Sequence, residues 1–170
     1  LVKKNFIQDS LYELLDPDRP DPIEVKSAVY PTEYDRLSCL SNAEETSALE
    51  FELTKNLPQN YRLLRERLRD YATSKYDYTL LDCPPNLGFF VVNALFCADF
   101  VVVPILCGSA FSLEGLHRAI RLINQIRDNG NPDLKFLRLL INAVDRRTAM
   151  SKIVIDQLKK HFGGGEIFST

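Results

Sequence analysis

Several protein classes are ruled out by what this sequence does not contain. It has no apolar run approaching the roughly 18 to 20 residues of a membrane-spanning helix, so no span is expected. No basic stretch followed by an apolar core and a small-residue cleavage site opens it, so no secretory signal is expected. The first residue is Leu1 rather than Met, which suggests processing or a longer parent chain. Cysteine is sparse: Cys39, Cys83, Cys97 and Cys107 form no C-x-x-C pair, and only His117 and His161 could join them. Zinc sites use paired ligands at short spacing, so no metal site of that kind is expected. Three of the four cysteines lie in or beside apolar runs, the usual setting of buried, reduced thiols in a cytosolic protein.

What is present describes a soluble globular domain. Apolar residues make up 45% and charged residues 26% of 170, enough chain for one domain spanning 1–170 with its own core. The net charge of −2 hides an asymmetry. Residues 1–60 hold 6 basic and 12 acidic side chains, whereas residues 135–161 hold 7 basic and 2 acidic. A basic segment of that kind can form a local anion-binding face or simply a solvated helix surface.

Periodicity predicts a short helix over 8–15, with Ile7, Leu11 and Leu14/Leu15 at helical spacing. It ends at a proline-rich connector over 16–22. Short extended pieces are expected at 28–30 and 37–40, then a helix over 43–56 with Glu44 and Glu45 in its first turn. After Pro58, Tyr61, Leu64, Leu68 and Tyr71 share one face of an amphipathic helix, and Arg62, Arg65 and Arg69 form another stripe. Three apolar runs, 78–82, 100–104 and 136–142, read as strands buried on both faces, which points to a parallel sheet covered by helices. Helices are expected at 87–97, at 112–128 with Ser112 as N-cap, and at 149–161, before a final strand at 166–169. Alternating strands and helices predict an α/β fold: a doubly wound, mostly parallel sheet with helices on both faces.

Ligands of such folds sit at the carboxyl ends of the strands. Asp82 closes the first apolar run and is followed by Cys83, Pro84 and Pro85. An acidic residue there is how P-loop NTPases hold the magnesium ion shared with the β- and γ-phosphates, although many strands also end in Asp as a turn former. The two prolines discourage an ordinary turn. Cys83 has no histidine near it in sequence to act as a base, so it is not expected to be a nucleophile.

The stretch from Lys75 to Gly88 (KYDYTLLDCPPNLG), with Asn93-Ala94-Leu95, Val103-Pro104, the run from Phe111 to Leu116, Asn131-Pro132-Asp133-Leu134 and Asp145-Arg146-Arg147-Thr148, resembles the ParA/Soj partition ATPases in order and over nearly the whole chain. The resemblance implies an ATP- and magnesium-dependent switch on an incomplete P-loop NTPase fold. It also implies a cytoplasmic, nucleoid-associated homodimer that binds DNA non-specifically and works with a ParB-like partner, away from any membrane. Asp82 matches the family's Walker B aspartate, holding magnesium through water. Arg147 matches the arginine of a DNA-contacting motif, with Lys152 on the same basic segment, and Asn142 falls where relatives approach the adenine. A surface ion pair with Asp145 or Asp156 is the competing reading of Arg147, and a strand-ending turn that of Asn142.

One family feature is missing. A phosphate loop needs glycines followed by Lys and Ser/Thr, yet none of Gly88, Gly108, Gly115, Gly130, Gly163, Gly164 and Gly165 precedes Lys-Ser or Lys-Thr. The resemblance places that loop and the first strand before Leu1 and further elements after Thr170, so the chain alone is expected not to hydrolyse ATP. Two other readings are a non-enzymatic DNA-binding or interaction module that naturally lacks the loop, and a MinD-like positioning ATPase. The first would have no Lys-Gly-Gly-x-Gly-Lys-Thr segment in its gene, and the second would carry an amphipathic C-terminal helix.

Overall fold

A computed structural model describes residues 8–21, 23–43, 45–106, 111–145, 147–162 and 164–168. Ile7, Pro22, Glu44, Cys107, Gly108, Arg146, Gly163 and Ser169 lie outside them. The chain divides into two compact units, Leu1–Cys97 and Ala98–Thr170.

The first unit is mainly helical. Helix α1 (Leu11–Leu15) starts at a complete capping box. The Ser10 hydroxyl accepts from the Tyr12 N–H at 3.1 Å, and the Glu13 carboxylate accepts from the Ser10 N–H and hydroxyl, each at 2.7 Å. Strands β1 (Val29–Pro31) and β2 (Ser38–Leu40) pair antiparallel, with Tyr30 opposite Cys39. Helix α2 (Thr46–Thr54) begins later than expected, leaving Glu45 at the N-cap rather than in the first turn. A 3₁₀ turn over Gln59–Arg62 leads into α3 (Leu63–Lys75), and α4 (Phe89–Cys97) ends the unit. Its core gathers Leu15, Leu49, Leu53, Leu64, Leu68 and Phe89. Burying each large side chain contributes about 1.5–3 kcal/mol. The expected apolar face of α3 is thus present, with Tyr61 stacked on Phe96 at a centroid distance of 6.2 Å.

The second unit is built on a parallel pair of strands, β3 (Phe100–Leu106) and β4 (Lys135–Asn142), with a bulge between Val101 and Val102. The crossover is α5 (Phe111–Asn129), and α6 (Ala149–Phe162) follows β4. Leu116 from α5, and Val154 and Leu158 from α6, pack with Ile105, Leu139 and Ile141. Of the apolar residues at helical spacing on α5, Leu116, Ile123 and Ile126 are buried and Ile120 is partly buried. Because α5 starts at Phe111, Ser112 lies within its first turn and is not the N-cap.

Three expectations about strands are corrected. Residues 78–82 form no strand or other regular element, and Tyr78 and Leu80 are 90% and 94% exposed. A strand needs a ladder partner, and none of the described residues pairs with this run. The expectation that β3 and β4 are buried on both faces also fails, because residues of each strand alternate: Phe100, Val102 and Leu106 of β3 and Leu137 and Leu140 of β4 are exposed. The last segment is a 3₁₀ turn over Gly164–Glu166 with a single parallel bridge from Ile167 to Leu139. The fold is nonetheless a mixed α/β arrangement with a parallel sheet and helices. No helix among the described residues is long and apolar enough to cross a membrane.

Candidate functional site

In the first unit, the apolar run of residues 78–82 ends at Asp82, whose residue is exposed. Among the described residues its carboxylate makes no ion pair. Beside it, partial desolvation of the thiol, and then the charge of Asp82, raise the pKa of Cys83. The Cys83 sulfur points to the Leu81 carbonyl at 3.6 Å. A protonated thiol is a poorer nucleophile than a thiolate.

Two prolines then carry the chain to a turn at which the Gly88 N–H donates to the Asn86 Oδ1 at 3.1 Å. Gly88 accepts the first hydrogen bond of α4, from the Val92 N–H at 3.1 Å, and so occupies the cap position. Glycine offers no capping side chain, so the cap comes from elsewhere: the Phe89 N–H donates to Glu50 Oε1 of α2 at 3.1 Å. A Cβ on Gly88 would lie 3.0 Å from both Glu50 Oε1 and Asn86 Oδ1, closer than real Cβ atoms ordinarily come.

The other end of α4 is held by the arginine stripe anticipated on α3. Arg65 donates to the Phe96 carbonyl at 3.0 Å, Arg69 donates to the Cys97 carbonyl at 2.6 Å, and Arg62 lies 5.8 Å from the Phe96 ring centroid. Carboxylate at the N-terminus and guanidinium groups at the C-terminus both complement the helix dipole. In between, buried Asn93 accepts from the Leu64 N–H at 3.1 Å and joins α4 to the first turn of α3. Asn93 stood in a family motif without a role, and Glu50 carried no local signal because its partner lies 39 positions away.

In the second unit, Asn142 ends β4 and is exposed, and its Oδ1 accepts from the N–H of Ala143, whose φ of 53° is left-handed. This is turn chemistry. Arg147 is exposed in a forked ion pair with Asp145, Nε to Oδ1 at 3.0 Å and Nη2 to Oδ2 at 3.1 Å. The guanidinium and the Arg147 backbone N–H hold the Asp145 carboxyl below the usual carboxylate range. The carboxylate in turn raises the pKa of Arg147. Thr148 Oγ1 accepts from the Ser151 N–H at 3.3 Å and so caps α6. Lys152, Asp156, Lys159 and Lys160 are all exposed on α6, and their spacing puts them along one face. Asp82 thus belongs to one unit, and Asn142, Arg147 and Lys152 cluster along the β4–α6 connection of the other.

A magnesium ion held by one carboxylate, waters and phosphate oxygens suits the exposed Asp82, a hard oxygen donor. An all-protein cage does not: no group of three His, Cys, Asp or Glu side chains among the described residues could hold a metal ion.

The fold is of the P-loop NTPase class of ParA-type proteins. It resembles the crystal structure of cobyrinic acid a,c-diamide synthase from Mycobacterium smegmatis with bound ATP analog and magnesium, with a TM-score of 0.79, 26% identity, and coverage of 94% of this chain and 62% of that one. The chain belongs to the AAA domain family, whose model matches residues 1–136. It is 33% identical over 161 residues to the chromosome partitioning protein ParA of Myxococcus xanthus, covering 95% of this chain and 54% of that protein. Identity to the sporulation initiation inhibitor protein Soj of Bacillus subtilis is 30% over 161 residues, covering 95% and 61%. The chain therefore spans somewhat more than half the length of these relatives, and the ParA/Soj resemblance read from its motifs holds.

Proposed function

We propose that residues 1–170 are part of one ParA-like nucleotide-switch domain in a protein that uses ATP and magnesium to segregate plasmid or chromosomal DNA. The similarity to ParA over 95% of this chain carries the reading. In it, Asp82 holds magnesium through a water molecule, at the exposed end of an apolar run where solvent and phosphate can reach it. Bound Mg·ATP supplies the transferable phosphoryl group and part of its charge neutralisation. The amide nitrogen of Asn142 would address the adenine. The whole protein would act as a cytoplasmic, nucleoid-associated homodimer with a ParB-like partner. The 170 residues alone would be inactive, because no glycine in them opens the Lys-Ser or Lys-Thr motif of a phosphate loop.

Arg147 and Lys152 would contact DNA phosphates. The Asp145–Arg147 pair does not forbid this: Arg147's side chain is 90% exposed, and solvent-exposed ion pairs hold weakly. Two measurements on the full-length protein test the proposal. Asp82→Ala should abolish ATP hydrolysis while circular dichroism stays unchanged, and magnesium-dependent turnover by that variant would refute the assignment. With ATP present, Arg147→Ala should weaken binding to two unrelated duplexes about equally and make the salt slope shallower by about one unit. Unchanged affinity and slope on both would leave Arg147 a surface arginine.

A further inference from the structure

The turn into α4 is closed by a residue that no motif singles out. Glu50 Oε1 takes the Phe89 N–H at 3.1 Å, Asn86 Oδ1 takes the Gly88 N–H at 3.1 Å, and the two oxygens close over Gly88 so tightly that a Cβ would meet both at 3.0 Å. The link from this closure back to Asp82 is short and stiff. Pro84 and Pro85 have φ locked by their rings, and Cys83 and Pro84, each preceding a proline, are restricted as well. Anchoring one end of such a link orients the other.

We propose that Glu50 is a positioning residue for Asp82: by closing the Gly88 turn it sets the path of Cys83-Pro84-Pro85, and with it the place of the Asp82 carboxylate. The inference rests on Asp82 being the magnesium-holding residue. Glu50 does not touch the nucleotide in this scheme. Its carboxylate sits at the positive end of α4, where a free anion would otherwise be attracted.

The test uses the full-length protein with Glu50→Ala, Glu50→Gln, Gly88→Ala and Asp82→Ala. Glu50→Ala should raise the magnesium concentration for half-maximal turnover. It should lower kcat by roughly ten- to a hundredfold, the scale of an ångström-level misplacement, with a smaller change in KM for ATP. Glu50→Gln keeps a carbonyl acceptor for the Phe89 N–H and should recover most of both. Without nucleotide, Phe89 amide exchange should be at least tenfold faster in Glu50→Ala and near wild type in Glu50→Gln. The magnesium-induced shift of the Asp82 amide resonance should weaken in parallel. A loss of thermal stability with unchanged magnesium dependence and unchanged Asp82 resonance overturns the proposal, because a purely structural role predicts that pattern. Should Glu50→Ala fail to fold, Gly88→Ala must reproduce the magnesium shift, and an unchanged dependence there overturns it equally. If Asp82→Ala is inactive and Glu50→Ala behaves as wild type, only the positioning role fails. If Asp82→Ala still hydrolyses ATP, the magnesium assignment fails and the positioning role falls with it.

Discussion

Asn93 offers a direct measure of how the first unit is held together. The Leu64 N–H lies in the first turn of α3, where no intrahelical acceptor exists, and Leu64 is 8% exposed, so water is a poor substitute. Asn93 supplies the missing acceptor at 3.1 Å, and its own amide donates to the Phe89 carbonyl at 3.3 Å. Replacing it with leucine keeps most of the volume and strands the donor, which should cost about 1–3 kcal/mol. Alanine should cost about 1 kcal/mol more, because it also leaves a small void. With a urea slope of about 1–3 kcal/mol/M, a 2 kcal/mol loss moves the unfolding midpoint by about 1 M. Circular dichroism in urea would read that shift, and amide exchange at Leu64 would report the bond itself. A leucine variant as stable as wild type, with Leu64 exchange unchanged, would refute the argument, since the N–H would then have another partner.

Other perturbations follow from the same geometry. At Glu13, desolvation pushes the pKa up, but hydrogen bonds from Ser10 outweigh it and the net shift is downward. A carboxyl with a depressed folded-state pKa adds stability above its unfolded value of about 4.3, and loses it as pH falls through the lower folded value. Acid unfolding of Glu13→Gln should therefore depend less on pH in that window than wild type, and Ser10→Ala should cost about 1 kcal/mol at neutral pH. Equal pH dependence in wild type and Glu13→Gln would contradict the cap. Cys83 is exposed but its thiol pKa is raised, so at pH 7 a thiol reagent should label it more slowly than a free cysteine, with the rate climbing as pH increases. Labelling as fast as free cysteine would contradict that environment.

The parts of the fold that depend on local periodicity were legible in the sequence. Leu64 and Leu68 on α3, and Leu116, Ile123 and Ile126 on α5, recur at the spacing that buries one face, and they are buried. What depends on distant partners was not legible. The run ending at Asp82 has the composition of a buried strand, yet a strand is defined by the neighbour it bonds to, and composition names no neighbour. The same applies at β3, where a continuous apolar run concealed the alternation of exposed and covered residues. The candidate at Asp82 was read from local chemistry, an acidic residue closing an apolar run two positions before paired prolines. No such local signal marks Glu50, which meets Phe89 only through the packing of α2 against α4. The forked Asp145–Arg147 pair was anticipated as one of two uses of that arginine, because two positions are close enough for the side chains to meet wherever the chain turns.

The way α4 is terminated bears on the order in which the first unit assembles. Nine residues are too few for a helix to persist alone in water. Several groups that finish α4 come from chain made earlier: Glu50 at one end, Arg65 and Arg69 at the other, and the Leu64 amide against its middle. These contacts span 28 to 39 positions, so each must wait for a loop to close. Helix α3, with thirteen residues and its own amphipathic face, can form first and present the surface on which α4 condenses. During synthesis the Asp82 segment therefore leaves the ribosome before Phe89–Cys97, and the turn at Gly88 can close only once that helix has met Glu50.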